Sequence, residues 1–320
     1  MTRLLAQAEA ASGEGVERAF PQTPRRTRWR LDGASLAYAM VIPAVAIVAL
    51  LILLPLVYSI FLSLFDWRLL DMNRAKAWAG LDNYGRLFTD GALRVALLNT
   101  VFFVIGSVTV ELVLGFIVAT ALFNINEGRK LANAIILLPM IITPVITALL
   151  WRYLLDPQFG LVAQLMTLFG ANGGVDVWGS STLALPGLML VDVWQWTPFV
   201  ILVLHAGMLS ISIEQFEAAT IDGAGQLRIA WSIVLPAIMP QVLLVLLFRT
   251  MDTYRLFDTV FVLTRGGPRD ATETIGLYTY RTGFSYTQMG YAMALSILIL
   301  ATVAIISSFY IRLLRREGML

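Results

Sequence analysis

Leu36-Ala-Tyr-Ala-Met-Val-Ile-Pro-Ala-Val-Ala-Ile-Val-Ala-Leu-Leu-Ile-Leu-Leu-Pro-Leu-Val-Tyr-Ser-Ile-Phe-Leu-Ser-Leu64 contains no charged residue. A helix crossing a hydrocarbon core of about 30 Å needs ~20 apolar residues, so this run predicts a transmembrane helix. Comparable runs follow at 95–123, 131–155, 183–211, 238–263 and 288–312. The reading is an all-α integral membrane protein of six transmembrane helices. Arg152 and Asp156 interrupt the far end of the third run. The proline pairs Pro139/Pro144 and Pro236/Pro240 predict kinks or helix starts, which membrane helices tolerate where neighbours satisfy the freed carbonyls.

Composition agrees. Hydrophobic residues make up 58% of the 320, charged residues 14%, and the mean hydropathy is +0.77; soluble chains carry about 25% charge. A net charge of +2 gives no reason to expect nucleic acid as a partner. The absence of cysteine excludes disulfides, thiolate metal sites and thiol catalysis, and the single histidine, His205, excludes a His-pair zinc motif.

Residues 1–33 are polar, with Arg25, Arg26, Arg28 and Arg30 near the end, and lack the apolar core of a cleavable signal. They read as a cytoplasmic N-terminal tail preceding a six-span domain at 34–320. With the N-terminus inside, the inner segments hold the tail arginines, Arg129, Lys130, Arg228, Arg312, Arg315 and Arg316. The outer loops hold Arg68, Arg74, Lys76, Arg86, Arg265, Arg269 and Arg281, and no basic residue between Leu155 and Thr182. The bias of basic flanks predicts that both termini are cytoplasmic, and an even number of spans agrees with both lying on one side.

Three stretches depart from a plain apolar pattern. Glu214-Gln-Phe-Glu-Ala-Ala-Thr-Ile-Asp-Gly-Ala-Gly-Gln-Leu-Arg228 is too polar for lipid yet rich in Ala and Glu. Ala218, Ala219, Ile221 and Ala224 offer small apolar contacts, and Gly223 permits a close backbone approach or ends a helix. A short helix on the cytoplasmic side and a solvated loop both fit this pattern. In the fourth span, Asp192, Gln195, Trp196 and Phe199 fall on one helix face. An acid within a membrane marks a cavity or bundle interior. An acid, an amide and rings together suit a sugar or polyol, whose hydroxyls need acceptors while its C–H faces stack on aromatics; a structural polar cluster with Trp at the interface belt is the alternative. In the fifth span, Arg249, Asp252, Thr253 and Leu256 share a face, while Arg255 and Asp258 are spaced to pair. The alternatives are Arg249–Asp252 and Arg255–Asp258 pairs neutralised within the helix, or a substrate-facing Asp252 and Thr253 beside the Asp192 face. Glu111, in the second span, is open between a structural bond and a gate. Gly115 and Ala119 predict close helix packing, Trp151 and Trp178 interface anchoring, and His205 a packed helix residue.

Glu217-Ala218-Ala219, Asp222-Gly223-Ala224, Ile233, Leu235-Pro236 and Pro240 resemble the "EAA" cytoplasmic loop of permease subunits in binding-protein-dependent ABC importers, with Trp231 in place of the pattern's aromatics near Leu227 and Ala230. Gly80-Leu-Asp-Asn-Tyr84, Leu87-Phe88, Asn99-Thr100, Leu138-Pro139 and Val193-Trp-Gln-Trp-Thr-Pro-Phe199 resemble the carbohydrate-uptake branch, of the maltose and glycerol-phosphate type. So do Phe248-Arg-Thr-Met-Asp252, Phe257-Asp258, Leu263-Thr264 and Gly266-Gly-Pro268. The resemblance implies the type I importer permease fold in a bacterial inner membrane. It implies an ATPase-coupling role for Glu217, Ala218, Ala219, Asp222, Gly223, Ala224, Leu235 and Pro236. It implies a second permease chain, two ATPase subunits that bind ATP and Mg, and an extracytoplasmic solute-binding protein delivering a carbohydrate or polyol. The chain itself has no phosphate-binding G-x-x-x-x-G-K-[ST] loop and no catalytic constellation. An ion- or proton-coupled secondary carrier using the intramembrane acids is the alternative from a different class.

Overall fold

A computed structural model describes residues 33–70, 77–125, 127–170 and 173–316. The predicted tail lies outside the described residues except for Gly33, as do Arg74 and Lys76. The chain divides into a unit ending at Pro55 and a unit from Leu56 onward. The described part of the first unit is helical and belongs to α1 (Gly33–Ser63). The second unit continues through β1 (Phe65–Asp66), β2 (Ala77–Trp78), α2 (Asp82–Leu87), α3 (Gly91–Asn124), α4 (Arg129–Ile141), α5 (Pro144–Leu154) and α6 (Leu161–Leu168). It then runs through α7 (Ala184–Met208), α8 (Ile213–Ile221), α9 (Gln226–Ile229), α10 (Leu235–Ala237), α11 (Met239–Tyr254), α12 (Asp258–Leu263), α13 (Ile275–Tyr280) and α14 (Met289–Arg316).

Four of these, α1, α3, α7 and α14, are long and apolar enough to cross a membrane, and the count rises to six if each of two bent pairs is one span. The bent pairs fall at the predicted proline clusters. The third span breaks by 95° between Ile141 and Pro144, and the fifth by 70° between Ala237 and Met239. Pro144 opens α5, and Pro240 stands in the first turn of α11, where a missing N–H costs nothing. The break in the third span exposes the carbonyl of Ile142, and the Gln195 amide on α7 donates to it at 2.8 Å. Beyond the helices the described residues form a two-residue antiparallel ladder, Phe65↔Trp78 and Asp66↔Ala77, and an isolated bridge, Arg68↔Gln288.

Within the second unit α7 is the central helix. In its most apolar stretch 56% of residues are buried, against 28% in α3 and 17% in α14. It packs on α3 through small residues, as Gly115 and Ala119 predict: a Cβ on Gly115 would stand 2.5 Å from Val200 Cγ1, and Ala119 is fully buried. Residues such as Leu98, Phe102 and Ile105 point away from the bundle and are exposed, as lipid-facing residues are. Trp151 and Trp178 are packed: Trp151 meets Trp194 edge to face, and Trp178 covers Gly187.

The connections between spans are tied by polar side chains. Asp90 caps α3, accepting from the N–H groups of Ala92 and Leu93, and also takes the hydroxyls of Tyr278 at 2.6 Å and Tyr291 at 2.7 Å. One carboxylate thus fastens α3, α13 and α14. Burial raises its pKa, but the two hydroxyls and two backbone N–H groups outweigh that and hold it below the usual value. Asn83 donates to the carbonyls of Ser63 and Phe65, and Tyr84 bonds Ser63 Oγ. Asn99 donates to the carbonyls of Asp270 and Glu273, Thr100 accepts from Ile275 N–H, and Thr272 joins Thr264 to the carbonyl of Gly267. Several motifs that carry the family resemblance are therefore the joints between spans.

Candidate functional site

Three spans meet at one guanidinium. Arg249, on α11, is 2% exposed. It donates from Nε to Glu111 Oε2 at 2.6 Å and from Nη2 to Glu111 Oε1 at 2.7 Å, a bidentate fork onto α3. The same Nη2 donates to Asp192 Oδ2 on α7 at 2.7 Å, and Nη1 reaches Asp252 Oδ2 at 3.3 Å. The guanidinium also lies over the Trp196 ring, 5.1 Å from its centroid, within cation–π range. A full-length charge survives in an apolar interior only when every donor finds an acceptor; here three acids and an indole surround the one cation.

This arrangement corrects the pairing expected from spacing alone. Arg255 pairs with Asp252 at 3.4 Å, not with Asp258. Arg249 reaches Asp252 only at its long contact, and its short bonds cross to other spans. Glu111, left open by its sequence context, is fully buried and is the bidentate partner. A lone acid in the second span required a partner from another span, which is the signal that could have joined Glu111 to Arg249.

The two predicted faces meet but divide by burial. Asp192 is 4% exposed and Gln195 2%, Arg249 2% and Thr253 1%: they lie inside the joint between α3, α7 and α11. Trp196, Phe199, Asp252 and Leu256 are only partly covered. Phe199 meets Phe248 of α11 edge to face, centroids 6.5 Å apart, a residue that entered the sequence reading through the family resemblance and not through the helix faces. The open part of the pair of faces is thus aromatic with one half-exposed carboxylate, backed by the buried ion cluster.

At the C-terminal end of α7 the segment 213–221 is a helix, α8, which settles the choice against a plain loop. Ala219 is buried, and Phe216 lies 5.3 Å from Phe123 of α3, ring to ring. The opposite side is open: Glu217, Ala218, Asp222 and Gly223 are exposed, as are Ile221 at 85% and Leu227 at 73%. Gly223 has φ +76° with nothing within 4 Å of a Cβ placed on it, and the turn closes when Ala224 N–H donates to the Ala219 carbonyl at 2.9 Å. Leu235 is partly buried and Pro236 exposed, within α10. A cavity of about 250 Å³ lies beneath α8, between Thr120, Phe123, Phe216, Thr220 and Ala230. Among the described residues no group of three or more His, Cys, Asp or Glu could hold a metal ion.

The profile of the family described as "Binding-protein-dependent transport system inner membrane component" matches residues 111–317. The chain belongs to that family. It is a multi-pass inner-membrane permease of the ABC transporter class, in the carbohydrate-uptake branch, and a non-catalytic subunit: nucleotide is bound by a partner ATPase. The trehalose/maltose transport system permease protein MalF of Thermococcus litoralis is 34% identical over 275 residues, 86% of this chain and 91% of the relative. The trehalose transport system permease protein SugA of Mycobacterium tuberculosis is 32% identical over 291 residues, 90% of this permease and 91% of the relative. The fold matches a chain of a bacterial alginate ABC transporter, crystallised with an alginate pentasaccharide-bound periplasmic protein. The TM-score is 0.76 at 23% identity, covering 88% of this permease and 94% of that chain.

Proposed function

We propose that this permease imports a carbohydrate or polyol as one of two transmembrane chains, paired with a second, different permease. Two ATPase subunits that bind ATP and Mg stand on the cytoplasmic side, and an extracytoplasmic solute-binding protein delivers the ligand. Relatives named for trehalose and maltose transport support the substrate class. Both termini are cytoplasmic in this reading, with residues 1–33 as a cytoplasmic tail, on the strength of the arginine distribution. The ATPase contact is the exposed side of α8 and the turn after it, formed by Glu217, Ala218, Asp222 and Gly223. Ala219, Ala224 and Leu235 seat that surface on the bundle, and Pro236 is exposed beside it. Trp196, Phe199, Asp252 and Leu256 line the substrate path, and Asp192, Gln195, Arg249 and Thr253 hold them in place.

The observation that carries this reading is α8 itself. It is a short polar helix held to the bundle by two residues and presenting an open face with a glycine at positive φ. A carrier complete in one chain has no use for such a face, and its coupling acids would need to be free, whereas Glu111 and Asp192 are both engaged by Arg249. The test is to purify the permease from membranes with its associated subunits and measure ATP hydrolysis with the cognate binding protein, with and without candidate sugars. Stimulation by the loaded binding protein, abolished by Gly223→Asp, is the expected result. Uptake collapsed by an uncoupler, with no ATPase co-purifying, would overturn the reading.

A further inference from the structure

The ion cluster has a charge to account for. Glu111, Asp192 and Asp252 are three acids, and Arg249 and Arg255 are two bases. Asp252 and Arg255 are half-exposed or more and neutralise each other at the edge. That leaves Arg249 with two carboxylates, all three at most 4% exposed. Among the described residues the further charge that touches them is Asp252, at 3.3 Å from Arg249 Nη1. The sequence has no charged residue between Lys130 and Arg152, which covers α4 from Leu131 and most of α5, and none from Met289 to Ile311 in α14. On α12 the charged residue is Asp258, which is exposed; Tyr278 of α13 is engaged by Asp90 at the other end of α3.

The two acids also sit against each other. Glu111 Oε1 and Asp192 Oδ2 take hydrogen bonds from the same nitrogen, Arg249 Nη2, each at 2.7 Å, and the two carboxyls are within hydrogen-bonding reach of one another. Two carboxylates at such separation in a dry site cannot both ionise, and a guanidinium does not give up its proton to relieve them. We infer that Glu111 and Asp192 share one bound proton, which completes an electroneutral Glu111–H–Asp192–Arg249 triad inside the membrane domain. The proton makes one acid a donor to the other, and the remaining negative charge faces the guanidinium. The pair titrates as a unit, so neither residue owns the proton.

The test uses the full-length permease, purified from membranes with whatever subunits accompany it, and infrared spectroscopy at neutral pH. A protonated carboxyl shows a carbonyl stretch above the amide band that shifts in D2O. That band is expected in the wild type, retained in Glu273→Gln, which removes another buried acid, and lost in Glu111→Gln and Asp192→Asn. Stability supplies the second arm. With one negative charge in the pair, either single amide leaves Arg249 its counter-ion, and the folded fraction surviving a heat step stays within about threefold of wild type, a fraction of what a broken buried pair costs. The double variant leaves the guanidinium only its long contact to the half-exposed Asp252 at 3.3 Å and loses roughly a hundredfold or more. No D2O-sensitive band in the wild type, a band that persists in both single variants, or single variants as damaged as the double would each overturn the inference.

Discussion

Removing the guanidinium from the triad is the most direct perturbation of the membrane domain. In Arg249→Met the side-chain volume is largely kept while four polar contacts vanish: two to Glu111 at 2.6 and 2.7 Å, one to Asp192 at 2.7 Å and a long one to Asp252 at 3.3 Å. Deleting one partner of a buried ion pair costs about 3–5 kcal/mol, because the acids left behind are desolvated without compensation. The indole contact at 5.1 Å adds about 0.5–2 kcal/mol. Proton uptake by the stranded acids returns part of this, so the lower figure, ~3 kcal/mol, is the expectation. At about 1.4 kcal/mol per decade that is a fall of roughly a hundredfold in the folded-to-unfolded ratio. Arg255→Ala is the internal control. Its partner Asp252 is 3.4 Å away with both side chains substantially exposed, and such a pair is worth about 0–1 kcal/mol. Arg249→Lys belongs between them, since a point charge cannot serve Glu111 from two directions. The assay is the soluble, correctly assembled fraction after a graded heat challenge in detergent. Arg249→Met surviving as well as Arg255→Ala would refute the account of the triad as the joint between α3, α7 and α11.

Four further outcomes follow from the same structure. Gly223→Asp introduces a charged side chain at φ +76°, where L residues are strained by about 1–2 kcal/mol, on the surface proposed to meet the ATPase; co-purification of the ATPase and stimulated hydrolysis should both fall, and wild-type values for both would reject that surface. Trp196→Ala and Asp252→Asn should lower uptake at limiting substrate by roughly tenfold to a hundredfold, the loss of about 1.5–3 kcal/mol from one hydrogen bond to a charged acceptor or of a comparable stacking contact, while sparing assembly; normal uptake by both places the substrate elsewhere. Cysteine at Gln158 should react with an impermeant reagent from outside and cysteine at Thr220 only after permeabilisation, and external labelling at 220 would invert the topology. Asp90 has a depressed folded-state pKa, so its stabilisation is present above the unfolded value near 3.9 and is lost as pH falls through the folded one; acid titration of Asp90→Asn should show a shallower loss of stability below about pH 4 than wild type, and identical slopes would refute the assignment.

The spans were legible because lipid imposes a simple rule on sequence. Long uncharged runs mark helices, and all six predicted runs overlap the observed ones. The prolines marked both breaks for an equally local reason: a ring without an N–H must start or bend a helix. The pairing of charges was not legible at the same level. Spacing within one helix nominated Arg255–Asp258 and Arg249–Asp252, because neighbours on a face are all that spacing encodes. The bonds that form cross from α11 to α3 and α7, and which residues of three helices meet depends on rotation about each axis, set by packing such as Gly115 against Val200. Gln195 shows the same limit. Spacing put it on the Asp192 face, but not the bond its amide nitrogen makes across helices to the carbonyl that the break at Ile142 leaves open.

The buried triad and the exposed helix α8 stand at opposite ends of one segment, and that relation bears on how the permease works. From Met239 to Arg249 the chain is a single helix, so at 1.5 Å per residue the triad lies about 15 Å from the break at Ile238. On the other side of that break, α10 and the π-helical turn 230–234 lead back to α9 and the turn at Gly223. Ile238 is fully buried and belongs to the same apolar cluster as Ala219 of α8 and Val245 of α11. A displacement of α8 is therefore met by a packed core at Ile238, where the 70° bend gives the chain a place to turn. Beyond it lies a rigid helix whose Arg249 grips two other spans. Polar bonds at the triad, a 70° bend at the break and an open face at α8 are the parts a lever requires. The half-exposed Asp252, three residues past Arg249 and bonded to it, is the carboxylate we propose for the substrate path. Gly223→Asp and Arg249→Met thus probe the two ends of one segment of the chain. If only the first disturbs nucleotide hydrolysis while the second disturbs both stability and uptake, the ends do different jobs; if Arg249→Met also alters hydrolysis in the fraction that stays folded, force passes along α11 between them.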